Sequence, residues 1–238
     1  MDGRWPIQRF PQVWVAVMML HLTLRPLLAL LFALTAGACI AATPPATTSS
    51  VAAPRVFQSS GDALADARRR VLDSDPSIAH AVATLRTDAD KSLKDGPFTI
   101  VNKQHPLPSV DLHDYVSLAP YFWPDPNKPD GLPYIRRDGE RNPEFQEYDA
   151  RPLNEMSGRV YTLALTGYLT GNAKYSARAA ELLRAWFFDP ATRMNPNLDH
   201  AQLVKGTNLG RGTGIIETVR LLNVIDAVGM LRLADPGR

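Results

Sequence analysis

The sequence predicts an all-α fold. Five successive stretches repeat their apolar residues at helical spacing, no stretch shows strong strand-like alternation, and most connectors are short. With 45% apolar and 21% charged residues, the 238-residue chain has an ordinary globular mixture. That mixture excludes wholesale disorder, a collagenous repeat and a polytopic membrane protein.

Leu64, Val71 and Leu72 share one face of the first helix, which opens near Ser60 or Asp62, either of which can cap it. Ile78, Ala81, Val82, Leu85, Ala89 and Leu93 define a second behind Pro76, a good first-turn residue. The third runs over about 153–170 through Met156, Val160, Leu163 and Tyr168, with Gly171 placed to close it. A fourth carries Tyr175, Ala179, Leu182 and Trp186 and stops at Asp189-Pro190. The fifth begins near Gly214 and continues through Ile215, Val219 and Leu222 toward Leu231.

Between the second and third helices the composition changes. Residues 95–152 hold 10 of the 20 prolines and 8 of the 19 aromatics. Pro120-Tyr121-Phe122-Trp123-Pro124-Asp125-Pro126 cannot be helical, because proline removes amide donors and pushes its predecessor toward extended geometry. A long, stiff loop of aromatic and charged groups is more often a functional surface than a connector. The plainer alternative is that Phe122 and Trp123 tuck under the loop and pin it to the core.

The N-terminal 42 residues read as a signal peptide, with 1–17 as a possible start-site error. Residues 27–38 form an apolar run behind Arg25 and end in Ala36-Gly37-Ala38. A membrane anchor is the competing reading, but polar residues and Pro26 split the apolar runs into pieces too short to span a bilayer. The expected location is therefore periplasmic or extracellular, with a lipid anchor at Cys39 as an alternative. Residues 43–57, rich in Thr, Ser, Pro and Ala, are expected to be a flexible tether. Residues 58–238 form the helical domain.

Charge narrows the partners. The formal net charge is +2, and beyond residue 42 the basic and acidic residues balance, which argues against nucleic acid. Cys39 is the one cysteine, so an internal disulfide and a cysteine-built zinc site are excluded. Asp111-Leu112-His113-Asp114 is weak support for a metal, and local hydrogen bonding that orders the loop is the simpler role. Gly206, Gly210, Gly212 and Gly214 follow no strand and lack a Lys-Ser or Lys-Thr ending, so a nucleotide site is not expected. Glycines that let the chain pass close to a neighbour explain them better. No metal or other cofactor is expected.

The stretch from His113-Asp114-Tyr115-Val116-Ser117-Leu118-Ala119 through Tyr121-Phe122-Trp123-Pro124-Asp125-Pro126 resembles the alginate lyase family of polysaccharide lyases. So do Lys128-Pro129-Asp130-Gly131-Leu132-Pro133-Tyr134-Ile135-Arg136-Arg137-Asp138-Gly139 and Asn142-Pro143-Glu144. Trp186-Phe187-Phe188-Asp189-Pro190, Met194-Asn195-Pro196-Asn197-Leu198 and Gly210-Arg211-Gly212-Thr213-Gly214-Ile215-Ile216 extend the likeness over roughly 97–231. The resemblance implies an α/α toroid of helical hairpins around a cleft. It also implies β-elimination of a uronic-acid polymer, with alginate as the leading substrate and glucuronan-type polymers as relatives.

That chemistry needs a neutralised carboxylate, a base for the C5 proton and an acid for the leaving oxygen. Arginines and amides hold neighbouring uronates. By similarity, Tyr134, Arg136 and Arg137, with Asn142-Pro143, resemble the lid segment of these lyases. Together with Gln202 and Arg211 they are the expected substrate-binding residues. Trp123 and Tyr121 are either a sugar-stacking platform or core packing, and His200, beside Gln202, is a further candidate.

The family's Asn-Asn-His motif and later catalytic Tyr are absent from this chain, so no catalytic residue is carried over. The expected architecture is thus an incomplete α/α toroid, the N-terminal part of a lyase, with a long Pro- and aromatic-rich loop. Leu222, Val224, Ile225, Val228 and Leu231 are expected to lie uncovered at its end. A non-catalytic polyuronate-binding protein is the second reading.

Overall fold

The computed structural model describes residues 51–234, so the expected signal segment and most of the tether lie outside the described residues. The described part is mostly helical, as the apolar spacing predicts. Helix α1 (Gly61–Leu72) is capped by Ser60, whose hydroxyl accepts from the Ala63 amide at 3.3 Å. Asp75 caps a 3-10 turn (Pro76–Ile78) that leads into α2 (Ala79–Ser92), so the expected second helix opens with a tight turn. Helix α3 (Ala150–Thr170) ends at Gly171, which takes a left-handed φ of 69° and donates to the Gly167 carbonyl. Asn172 then caps α4 (Ala173–Phe187), accepting from the Lys174 amide at 3.1 Å.

The fifth helix needs correction. Gly212–Arg220 is a 3-10 helix, and the regular helix α5 (Leu221–Ala234) starts only after it. Two glycines and the β-branched run Ile215, Ile216, Thr218 and Val219 weaken an α-helix there. Gly214 also lies against β4, where a Cβ would fall 2.3 Å from the Ala201 Cβ.

The core is built on α3, which packs against α1, α2, α4 and α5. Met156, Val160, Leu163, Tyr168 and, from α4, Trp186 are fully buried. Truncating the last to Ala would cost about 3–5 kcal/mol.

Four short strands accompany the helices. β1 (Val116–Leu118) pairs in parallel with β4 (His200–Leu203), with a break in register between the Val116–His200 and Leu118–Leu203 pairs. β2 (Phe122–Trp123) and β3 (Ile135–Arg136) form an antiparallel pair. All three residues of β1 are buried, so no alternation marks it in the sequence. Val116, Leu118, Leu203 and Tyr148 form a second, smaller apolar cluster beneath the loop.

Val51 to Phe57, expected as the end of the tether, is held to the body. The Asp226 carboxylate of α5 accepts from the Phe57 and Gln58 amides at 2.7 and 3.1 Å, and Tyr168 Oη donates to the Ala52 carbonyl at 2.8 Å. No helix among the described residues is long and apolar enough to cross a membrane.

Candidate functional site

The proline- and aromatic-rich loop is folded by its own hydrogen bonds. The Arg137 amide donates to the Tyr121 carbonyl at 2.8 Å, the Asn142 amide to the Pro120 carbonyl at 2.8 Å, and Asn142 Nδ2 to the Phe122 carbonyl at 2.9 Å. On this hairpin, Trp123 Nε1 donates to the Glu140 carbonyl at 2.9 Å while the Arg137 guanidinium lies 5.5 Å from the indole ring. Tyr121 and Trp123 are half-buried. Arg136 and Arg137 sit in exposed pairs with Asp138 (2.8 Å) and Glu140 (3.7 Å). Such pairs are worth little in water and exchange readily for another anion.

A second group fastens the loop to the body. The Tyr134 amide donates to the Lys205 carbonyl at 2.9 Å, and Tyr134 Oη donates to Glu144 Oε2 at 2.7 Å. The Lys205 ammonium pairs with Glu144 Oε1 and lies near the faces of Tyr134 and Tyr148. Burial and the Glu144 carboxylate push the Tyr134 phenol up to about 12. Burial raises Tyr148 as well. The Tyr134 phenol therefore keeps its proton at neutral pH and donates it to Glu144. Burial works to raise Glu144, but hydrogen bonds from Lys205 and Tyr134 outweigh it and hold the carboxyl below its ordinary range.

The third group surrounds Gln202, which is buried and sits at a left-handed φ of 53°. Its amide donates to Ser117 Oγ at 2.8 Å, and its carbonyl accepts from Arg211 Nε at 3.2 Å. Its side-chain Oε1 accepts from an Arg211 terminal nitrogen at 2.8 Å and from Thr213 Oγ1 at 3.2 Å. The Arg211 guanidinium also lies 5.0 Å from the centre of the Phe122 ring, joining this group to the hairpin.

His200 belongs to a separate network. Its Nδ1 lies 3.2 Å from the Leu209 carbonyl and its Nε2 3.8 Å from Asp114 Oδ2. Asp114 Oδ1 accepts from Asn195 Nδ2 at 2.9 Å and Asn197 Nδ2 at 2.8 Å. Desolvation opposes these bonds, yet together with the nearby His200 and Lys103 they keep the carboxyl below its ordinary range. His113 bonds locally only through its amide, which donates to Asp111 Oδ1, whereas its ring Nδ1 lies 2.6 Å from the carbonyl of Arg193, 80 positions away.

The alginate lyase family model matches residues 99–237, more than half of the sequence. The chain belongs to the alginate lyase family. Among solved structures, an alginate lyase from Bacteroides ovatus is 42% identical, with a TM-score of 0.71 over 75% of this chain and 47% of that one. The chain thus spans about half the length of that alginate lyase. No curated protein matches.

All eight predicted substrate-binding residues fall within the part that matches the alginate lyase family. Tyr121, Trp123, Arg136 and Arg137 come together on the hairpin, and Gln202 and Arg211 meet beside it. Tyr134 turns to Glu144 and Lys205, and His200 to Asp114. Sequence reasoning missed Ser117, Thr213, Glu144 and Lys205, and took Asp114 only as part of a loop-ordering cluster. Thr213 lies within the matching Gly-rich string, but nothing local marks Ser117 or Lys205, whose partners are 85 and 61 residues away. Among the described residues, no cluster of three or more His, Cys, Asp or Glu side chains is arranged to hold a metal.

Proposed function

We propose that this alginate lyase family member cleaves a uronic-acid polymer by β-elimination, alginate first and glucuronan-type polymers second. The match over residues 99–237 carries this reading. Arg136 and Arg137 supply exposed guanidiniums whose present carboxylate partners are weakly held, a fitting set for successive uronates. Trp123 and Tyr121 on the same hairpin offer ring surface to a sugar. No catalytic side chain is assigned here, since the family's Asn-Asn-His motif does not occur in this sequence.

The reading includes export. The apolar run at 27–38 and its small-residue exit support a periplasmic or extracellular location, where such polymers are met. A lipid anchor at Cys39 is the variant form of that export.

Two readouts test the activity: the rise in ultraviolet absorbance from unsaturated uronate, and retention of the protein in alginate-containing native gels. Retention is expected of this chain and the absorbance rise once it carries the family's Asn-Asn-His and tyrosine segment, and R136A/R137A together should lose most of the retention. Retention without any absorbance rise on alginate or glucuronan would overturn the lyase reading in favour of a binding protein. Neither signal would remove the polyuronate altogether.

A further inference from the structure

Gln202 combines three features that rarely coincide: a left-handed backbone, near-complete burial and an amide with half of its hydrogen-bonding capacity unused. A non-glycine residue at positive φ is strained and persists only where its surroundings over-determine it. Here they do. Ser117 holds the backbone N–H, while Arg211 holds both the backbone carbonyl and the side-chain carbonyl, the latter shared with Thr213.

The chemistry of the partners fixes the amide's direction. Guanidinium has donors and no acceptor, so the atom facing Arg211 must be the carbonyl oxygen Oε1. The Nε2 group then lies on the opposite side of the carboxamide, and it takes no hydrogen bond among the described residues. Although the residue as a whole is buried, Nε2 itself reaches solvent, so the oxygen of a bound ligand can approach it.

We infer that Arg211 and Thr213 are positioning residues, which lock the Gln202 carboxamide so that Nε2 is presented as a donor to an oxygen of a bound uronate. This rests on the polyuronate reading and changes the role expected for Arg211. With two contacts to Gln202 and its face against Phe122, its guanidinium acts through the glutamine instead of gripping a carboxylate itself.

The inference separates fold from recognition at one atom. In Gln202→Glu the new carboxylate still accepts from Arg211 and Thr213, so the local structure is kept, but the donor is gone and a second acceptor faces an anionic ligand. Calorimetric titration with alginate and glucuronan oligomers should show Q202E bound about tenfold or more weakly, the loss expected for a donor to a charged group. Its melting temperature should match or exceed the wild type. Thr213→Val should weaken binding, and Thr213→Ser should restore it. Unchanged oligomer affinity in Q202E, or equal loss in Thr213→Ser and Thr213→Val, would overturn the inference. If the wild-type chain binds neither oligomer, the polyuronate reading fails, and the amide orientation is judged by NMR. Fast hydrogen exchange at the Gln202 side-chain NH2 supports it, and strong protection overturns it.

Discussion

Lys103 and Asp149 form a buried ion pair at 2.5 Å, with both side chains less than a tenth exposed. Lys103 Nζ also donates to the Asp114 carbonyl at 2.7 Å, and Asp149 Oδ2 accepts from the Val116 amide at 2.8 Å. Burial pushes the Asp149 carboxyl up in spite of Lys103, a sign that desolvation is the larger effect. Removing one partner strands the other. Lys103→Met should therefore cost about 3–5 kcal/mol in chemical denaturation, well above the loss from the double replacement with apolar residues. The surface pair Arg136–Asp138 sets the opposite limit, and Asp138→Asn should leave stability within about 0.5 kcal/mol. Reading at this scale from sequence succeeds only over short range. The Asp111–His113 contact was legible because the two are neighbours, and the Ser60 cap because of its place before α1. The Lys103–Asp149 pair spans 46 positions and leaves no local sign.

Among the elements, the loop that bears the hairpin is the one whose attachment can be titrated. Glu144, held below its ordinary range, is the anchor. A depressed carboxyl contributes stability that is present above its unfolded value and is lost as pH falls through its folded value. Lys205 is shifted upward by the same pair, so its share is present below its unfolded range and fails only in strong alkali. Acid is thus the relevant side. Amides of residues 120–148 should exchange faster below about pH 4 while those of α3 stay protected, and Glu144→Gln should reproduce that loosening at neutral pH. Loss of protection in both regions together would contradict it. The loop's stiffness was visible in its prolines. Its attachment point was not, because Lys205 lies beyond two intervening helices. The five helical stretches were legible by spacing, whereas Gly212–Arg220 misled because its apolar residues also suit a tighter turn.

Across the molecule, the expectation of an uncovered apolar end holds only in part. Val224 is buried and Leu231 half-buried, while Leu222, Ile225 and Val228 are exposed. Ile216 and Val219 join them, so exposed apolar residues recur at every third position from 216 to 228, each at least 40% accessible. A contiguous patch of this kind favours association. Ile216→Glu with Val219→Lys should lower self-association in light scattering and shift stability by no more than about 0.5 kcal/mol. Undiminished association would place the sticky surface elsewhere. The N-terminal segment is tied to α5 with similar economy, and Gly229 marks the spot: a Cβ there would fall 1.9 Å from the Arg55 carbonyl oxygen. Gly229→Ala should therefore release residues 51–57 to proteolysis.

The parallel pairing of β1 with β4 also sets a timetable. Val116 meets His200 across 84 positions, with the whole α3–α4 hairpin in between. Contacts that close so long a stretch of chain are entropically slow, whereas the hairpin's own contacts are local. The helices should accordingly gain protection early in refolding, and Ser117 should reach the Gln202 amide late. A chain stalled before that step would be helical and compact, yet without the strained residue on which its proposed recognition depends. Pulse-labelled exchange would show that order directly.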